Sequence, residues 1–163
     1  MRVAILTVSD KGSRGEREDT SGAYIKKTLE GSGAEVVADD IVADDIGAIS
    51  GKLIEYADEK QADLVLTTGG TGLSPRDVTP EATLAVITRR ADGFAEALRA
   101  ASLKVTPRAM LSRAVSGQRN KTLIINLPGS LKAVQEHLAV LLPVLPHALE
   151  MARGRGHGED NLK

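Results

Sequence analysis

The chain has 163 residues, of which 42% are hydrophobic and 26% charged, and its formal net charge is -1. This length and composition are typical of one soluble globular domain with a full core, and the near-neutral charge excludes a global positive field that would attract nucleic acid. The absence of cysteine excludes disulfides, a thiol nucleophile and a cysteine-based zinc site.

The first half of the chain predicts strands that alternate with helices. Apolar runs predict three strands, at residues 3–8, 36–42 and 63–68. The charged stretch 10–18 is predicted as a loop, and Thr20 or Ser21 is predicted to cap the helix that follows it. The next helix has apolar residues at helical spacing, and Asp44 or Asp45 is suited to cap it.

The second half of the chain continues the alternation. The predicted elements are helices near 80–88 and 93–104, a helical turn at 107–112, a strand pair formed by Val115 and 122–126, and a last helix from Leu131. Pro143 and Pro146 should break this last helix. We expect a single domain over residues 1–152 and a flexible, glycine-rich tail over 153–163. The pattern predicts an α/β fold: a three-layer, doubly wound, mainly parallel sheet with helices on both faces.

Two classes of partner are not expected. The three aromatic residues, Tyr24, Tyr56 and Phe94, are too few for a platform on which nucleic-acid bases stack. No apolar run approaches the length of a membrane span, and the first residues enter a strand without a signal-peptide pattern. We therefore expect a cytoplasmic protein with neither a nucleic-acid nor a membrane partner.

The segment GGTGLSPRDVTPE at 69–81 carries the strongest functional signal. Three glycines in four positions let the backbone approach a ligand closely, and Thr79 is predicted as the N-cap of a helix that starts at Pro80. Glycine turns also serve as plain connections between a strand and a helix. Such a connection does not need Arg76, Asp77 and two further hydroxyl residues in the same loop, so we interpret it as a site for a phosphorylated ligand.

Polar clusters follow four of the predicted strands. They are Ser9-Asp10, Asp44-Asp45, the glycine loop with Asp77, and residues 126–130. Ligands of open α/β sheets bind outside the carboxyl ends of the strands. If the strands are parallel neighbours, all four clusters meet at one edge of the sheet.

Several familiar site types do not fit the sequence. The glycine loop lacks the Gly-Lys-Ser/Thr ending of a P-loop, and Pro75 occupies the last glycine position of a dinucleotide fingerprint. The histidines His137, His147 and His157 lack the spacing of a helical metal site. No GxSxG segment indicates a hydrolase triad.

The remaining candidates for chemistry are carboxylates. Asp44 and Asp77 each follow a predicted strand near a helix start. Two acids that face one phosphate site are suited to Mg²⁺ held by carboxylates and phosphate oxygens. For Asp44 the alternative is plain helix capping, which Asp45 can do equally well.

Four segments give the chain a family resemblance. TVSD at 7–10, GGTGLSPRDVTPEAT at 69–83, MLSRAVSG at 110–117 and LIINLPGS at 123–130 resemble the molybdenum-cofactor biosynthesis proteins of the MogA/MoaB type. A similar domain occurs in gephyrin. The likeness extends over nearly the whole chain, and the order of the long glycine motif and NLPGS makes it specific.

The resemblance implies a molybdopterin-binding-like fold and a molybdopterin adenylyltransferase activity. Such enzymes use MgATP to adenylate the terminal phosphate of molybdopterin, and they release pyrophosphate. It implies that Asp44 and Asp77 are the catalytic and Mg²⁺-binding acids. It also implies a nucleotide and pterin pocket formed by Thr7, Ser9, Asp10, Gly69, Gly70, Thr71, Gly72, Ser74, Ser112, Asn126, Pro128, Gly129 and Ser130. Family members form trimers, or hexamers built from trimers, and hand their product to a molybdenum-insertion enzyme.

Several alternatives stay open at the level of sequence. Family members often have Pro-Asp-Glu where this chain has Ala43-Asp44-Asp45, so either aspartate can be the essential acid. The domain can be a non-catalytic molybdopterin-binding module or scaffold, or a different enzyme on the same fold, for instance one that cleaves a pyridine nucleotide. The pathway can serve molybdenum or tungsten.

Overall fold

Six strands form one mixed sheet through the centre of the molecule, which the computed structural model describes for residues 1–155. They are β1 (Arg2–Val8), β2 (Glu35–Val42), β3 (Leu64–Thr68), β4 (Arg89–Arg90), β5 (Ser116–Arg119) and β6 (Thr122–Leu127). Their order is β2-β1-β3-β6-β5-β4. The first four in this order are parallel, whereas β5 and β4 pair antiparallel. The mainly parallel sheet predicted from the sequence is confirmed.

The helices lie on both faces of this sheet. They are α1 (Asp10–Ser13), α2 (Thr20–Gly31), α3 (Ile46–Ile54), α4 (Thr79–Val86), α5 (Asp92–Leu103), α6 (Leu131–Leu141) and α7 (Leu145–Ala152). A π-helical turn, Glu55–Glu59, extends α3, and a 3-10 helix spans Pro107–Leu111. The break between α6 and α7 contains Pro143, as predicted. No helix within residues 1–155 is long and apolar enough to cross a membrane.

The three layers follow from alternation along the buried strands. Successive side chains of a strand point to opposite faces. Val3 and Ile5 of β1 pack in a core cluster with residues of α2, α5, α6 and α7. Ala4 and Leu6 pack in a second cluster with residues of α3 and α4. Both faces of β1 are therefore buried, which explains why its sequence is an uninterrupted apolar run.

Several local predictions about the helix starts are wrong. Residues 10–13 form α1 rather than loop, because the Ser9 hydroxyl accepts a hydrogen bond from Gly12 N at 3.0 Å. Asp19, not Thr20 or Ser21, caps α2 by accepting from Gly22 N at 2.8 Å. The N-cap position of α4 is Val78 rather than Thr79.

The last helix, α7, ends at Ala152, the predicted end of the domain. Arg153, which we expected in the flexible tail, donates from its Nε to Asp63 Oδ1 at 3.1 Å. The N–H of Arg155 donates to the carbonyl of Glu150 at 3.0 Å. Residues from 156 onwards lie outside the described residues, so the division into domain and tail stays a prediction.

One buried histidine gives the fold a pH-dependent term. His137 on α6 is only 5% exposed, and its Nε2 lies 2.7 Å from Ser102 Oγ. Its Nδ1 is buried and has no hydrogen-bond partner within residues 1–155. Burial lowers the pKa of His137 to about 4, from an ordinary value of 6.5. Below pH 6.5 the unfolded chain therefore binds this proton more readily than the folded chain does.

We predict that the contribution of His137 to the free energy of unfolding is greatest above pH 6.5 and decreases as the pH falls toward 4. The slope from His137 is about 1.4 kcal/mol per pH unit, so the loss by about pH 4.5 is at most about 2–3 kcal/mol. Denaturant titrations between about pH 7 and pH 4.5 measure it. His137→Gln should give a flatter curve, whereas His147→Gln, at an exposed residue, should match the wild type. Equal slopes in all three proteins would contradict this account.

Candidate functional site

The carboxyl ends of β1, β3 and β6 open into a cavity of about 420 Å³. These strands are adjacent and parallel, so the loops that follow them leave the same edge of the sheet. Each of the four polar clusters singled out in the sequence contributes to the cavity wall, through Ser9, Asp44, Asp77 and Gly129. The predicted convergence of the clusters is confirmed.

The structure divides the predicted site residues into two groups. Those that line the cavity are Thr7, Ser9, Asp44, Gly69, Gly70, Asp77, Gly129 and Ser130. Those that lie outside its wall are Asp10, Thr71, Gly72, Ser74, Ser112, Asn126 and Pro128. The wall also contains residues that sequence reasoning missed, namely Val8, Gly12, Arg17, Glu18, Asp19, Thr20, Ser21 and Thr68. Most of the missed residues lie between positions 12 and 21, and the signal that could have found them is that this polar stretch follows β1 directly.

The glycine loop lies directly against the end of β1. Gly69 and Gly70 have φ angles of +95° and +68°, a region that favours glycine. A Cβ on Gly69 would lie 2.4 Å from the carbonyl oxygen of Val8, and a Cβ on Gly70 would lie 2.3 Å from Thr79 Oγ1. The Thr79 hydroxyl donates to Gly69 O at 2.9 Å, and Thr79 N donates to Gly70 O at 3.1 Å. Thr79 thus holds the turn rather than capping α4.

Asp44 and Asp45 have different tasks in the structure. Asp45 Oδ2 accepts from Ala48 N at 2.8 Å, so Asp45 is the N-cap of α3. Asp44 Oδ2 accepts from Asp10 N, and Asp10 Oδ1 accepts from Asp44 N, both at 3.0 Å. This reciprocal pair fixes Asp44 at the cavity wall. The sequence allowed either aspartate to cap α3 or to face the site. In the structure Asp45 caps α3 and Asp44 lines the cavity.

Arg76 neutralises Asp10 rather than Asp44. Its Nε and Nη2 donate to the two oxygens of Asp10 at 3.0 and 2.8 Å, a bidentate geometry that links the glycine loop to the start of α1. This hydrogen bonding to Arg76 lowers the pKa of the Asp10 carboxyl. Within residues 1–155, neither Asp44 nor Asp77 forms a salt bridge.

The pKa of the Asp44 carboxyl is raised, mainly by burial. The negative charges of Asp10 and Asp77 raise this pKa further, although the hydrogen bond from Asp10 N opposes them. A cation bound beside Asp44 would reverse this balance, because it would favour the ionised carboxylate. Among the charged groups near Asp44, Asp10 and Asp77 raise its pKa and Arg76 lowers it.

Asp44 and Asp77 each have a carboxylate oxygen that could bind a metal ion. In Asp44 and Asp77 alike, Oδ2 accepts a backbone N–H, from Asp10 and Ser74 respectively. For neither Oδ1 does the described part of the chain supply a hydrogen-bond donor. No group of three or more His, Cys, Asp or Glu in residues 1–155 could hold a metal alone. Mg²⁺ commonly binds to one or two carboxylates and completes its shell with water and substrate phosphates.

Two helix N-termini supply the complementary site for anions. Thr20 and Ser21, in the first turn of α2, and Ser130, the N-cap of α6, line the cavity. N–H groups at a helix start favour bound phosphate. The Ser21 hydroxyl donates to Gly129 O at 2.8 Å and so ties the two helix starts together. The exposed Arg17 adds a cation to the same wall.

Asn126 has a supporting position rather than a place in the cavity wall. It is fully buried, and its Nδ2 donates to the hydroxyls of Thr67 and Thr83 at 3.0 and 2.9 Å. Its Oδ1 accepts from Val115 N at 3.2 Å. These bonds tie the end of β6 to β3, α4 and the segment before β5. Asn126 therefore fixes where the 128–130 turn leaves the sheet.

A second, mainly apolar cavity of about 180 Å³ lies beside the same turn. Ser112, Asn126 and Pro128 line it, together with residues of α5, α6 and the 3-10 helix. Nine of the predicted nucleotide and pterin residues thus line one of two neighbouring cavities, one polar and one apolar. The other four, Asp10, Thr71, Gly72 and Ser74, line neither of them.

Comparisons with known proteins agree with this geometry. A family model described as a probable molybdopterin binding domain matches residues 4–147. The chain is 42% identical to the molybdopterin adenylyltransferase of Helicobacter pylori strain J99, over 94% of this chain and 89% of that relative. It is also 42% identical to molybdenum cofactor biosynthesis protein B of Escherichia coli K12, over 81% of this chain and 77% of that relative. The crystal structure of the molybdopterin biosynthesis enzyme MoaB from Thermus thermophilus matches with a TM-score of 0.88 at 52% identity, over 94% of this chain and 96% of that one.

Proposed function

This chain belongs to the family of probable molybdopterin binding domains, and from that premise we propose that it is a molybdopterin adenylyltransferase. The terminal phosphate of molybdopterin attacks the α-phosphorus of ATP, a new P–O–P bond forms, and pyrophosphate leaves. The observation that carries the proposal is the cavity itself. It places two acids without a cationic partner, Asp44 and Asp77, beside the N-termini of α2 and α6.

Each part of the cavity wall has a task in this reaction. The N–H groups at the starts of α2 and α6 bind phosphate oxygens and hold the two substrates in line. Asp44 and Asp77 would hold Mg²⁺, which reduces the repulsion between the approaching phosphates when it is bound. Thr7, Ser9, Gly69, Gly70, Gly129 and Ser130 are the remaining wall residues that we assign to substrate binding. Asp10 and Ser74 act by orienting the two acids.

The proposed chemistry needs no strong general base. A phosphate monoester has a second pKa of about 6, so the nucleophile is largely ionised at neutral pH. Within residues 1–155, no histidine belongs to the cavity wall. The main barrier is the repulsion between the phosphates of the two substrates and the need to align them. Preorganised N–H groups, and a metal ion held by the two acids, would lower this barrier.

The apolar cavity suits the less polar part of a substrate. Ser112 and Pro128 line it, only one turn away from the phosphate-binding wall. We propose that these residues contact the pterin while its phosphate reaches the polar cavity. The assignment of Asn126 to direct substrate contact has less support, because its side-chain hydrogen bonds all go to protein groups.

We further propose that the chain assembles as a homotrimer, alone or as half of a hexamer. Four large apolar side chains near the 3-10 helix, Leu103, Val105, Met110 and Leu111, are 45–67% exposed. Such exposure within nine residues is typical of an interaction surface. Light scattering at micromolar concentration should give three or six times the chain mass, and a monomer mass would contradict the assembly. The cytoplasmic location and the molybdenum-insertion partner stay predictions.

We predict that turnover requires a divalent metal and that pterin binding largely does not. Purified protein with molybdopterin and MgATP should yield adenylylated pterin and pyrophosphate. EDTA should stop this reaction, because two unit charges about 4 Å apart repel by about 4 kcal/mol at an effective dielectric of about 20. Pterin affinity, measured by fluorescence, should survive EDTA in large part. Full turnover in EDTA would contradict the metal role, and no turnover in any condition would favour a binding module.

Replacing Asp44 and Asp45 in parallel separates site chemistry from helix capping. Asp44→Asn should lower turnover by about 10²–10³-fold, as removal of one electrostatic catalytic group typically does. Asp45→Ala should keep turnover and lower the free energy of unfolding by about 1 kcal/mol, the usual value for a lost cap. Asp45→Asn, which retains a capping side chain, is the matched control. Greater loss of turnover in Asp45→Ala than in Asp44→Asn would reverse the assignment.

A further inference from the structure

The segment from Thr71 to Asp77 has few bonds of its own. Residues 73–76 are exposed, and the segment's internal hydrogen bonds run mainly between Ser74 and Asp77, with Asp77 N donating to Ser74 O at 2.9 Å. Two glycines with positive φ precede it, and Gly72 lies within it. A chain with this composition has high conformational freedom when nothing external holds it. Something outside the loop must therefore keep the Asp77 carboxylate in place.

Two arginines supply an external hold: Arg76 pairs with Asp10 at the tip of the loop, and Arg113 binds both ends of the tip. The Nε of Arg113 donates to Gly72 O at 2.8 Å, and its Nη2 donates to Asp77 O at 2.7 Å. Its Nη1 pairs with the carboxylate of Glu81 in the first turn of α4. One planar guanidinium thus joins both ends of the exposed tip, residues 73–76, to the helix that follows it. The same hydrogen bond lowers the pKa of the Glu81 carboxyl.

The backbone of Arg113 is itself anchored. Arg113 N donates to Thr71 O at 2.8 Å, so the chain at 113 runs alongside the loop. From the other side, Arg99 on α5 donates to Ser112 O at 2.9 Å and also contacts Ala114 O. The backbone around Arg113 is therefore bonded to a helix, α5, as well as to the glycine loop.

We propose that Arg113 is a positioning residue for Asp77, and this inference rests on the proposed function of the cavity. Arg113 does not line the cavity, so its effect on the reaction passes through the loop. Lysine cannot replace it, because an ammonium is a point charge and lacks the fork that reaches two carbonyls and a carboxylate at once. Supporting groups of this kind typically change activity by about 10–100-fold when removed.

The first test follows the loop directly and does not depend on turnover. In Arg113→Ala, hydrogen exchange at the bonded amides of Ser74, Arg76 and Asp77 should accelerate by about tenfold or more, while β3 amides keep wild-type rates. Arg113→Lys should give an intermediate acceleration. Arg90→Ala removes another arginine–carboxylate contact, with Asp92 on the surface, and should leave the loop unchanged. Unchanged loop exchange in Arg113→Ala, or uniform acceleration over the whole domain, would overturn the proposal.

The second test asks whether the loosened loop affects the reaction as a positioning role requires. Arg113→Ala should lower kcat by about 10–100-fold with KM for molybdopterin within about threefold of wild type. The Mg²⁺ concentration at half-maximal rate should rise, because Asp77 is no longer held in place. If the decrease in kcat is no larger than the fraction of the variant that is unfolded, the positioning role is overturned. If the wild type shows no turnover, the proposed function fails, and the exchange data still decide whether Arg113 clamps the loop.

Discussion

The close approach of the glycine loop to the end of β1 is the constraint on which the site depends. Gly69 leaves no space for a Cβ beside the Val8 carbonyl, and Gly70 leaves none beside Thr79. Only because these side chains are absent can the loop after β3 cross the end of β1. That crossing brings Asp77, from the loop after β3, into the same cavity as Asp44, which follows β2. Because β2, β1 and β3 are adjacent and parallel, their carboxyl ends lie side by side. The glycines allow the loop after β3 to pass over the end of β1.

The distribution of charge around the cavity follows a consistent pattern. Arg76 of the glycine loop is paired with Asp10, and Arg113 is paired with Glu81. Both arginines hold parts of the loop in place instead of neutralising Asp44 or Asp77. Within residues 1–155 neither acid forms a salt bridge, and both lie at a wall where helix N-termini also attract phosphate. A carboxylate and a bound phosphate repel each other, and a cation bound to both would offset this repulsion. We therefore assign metal-assisted phosphate chemistry to the cavity rather than acid–base chemistry.

Much of this arrangement was predictable from the sequence. Apolar runs and helical spacing predicted the α/β sheet, and polar clusters after strands predicted a shared edge, because both depend on periodicity and topology. The residues that cap the helices were not all predictable. Asp19 rather than Thr20 caps α2, because Asp19 also accepts a hydrogen bond from the Thr7 hydroxyl on β1. The clamp by Arg113 joins residues more than thirty positions apart, and no local pattern shows such a pair. The choice between Asp44 and Asp45 likewise needed the position of Asp10.

We propose that Asp44 and Asp77 jointly bind one metal ion together with substrate phosphate. Anomalous diffraction at the manganese edge tests it directly, with Mn²⁺ in place of Mg²⁺ and a non-hydrolysable ATP analogue in the cavity. The account predicts one peak within about 2.0–2.3 Å of an oxygen of each carboxylate and of a phosphate oxygen. A metal held by phosphates and water alone, with both carboxylates outside its coordination shell, would contradict it.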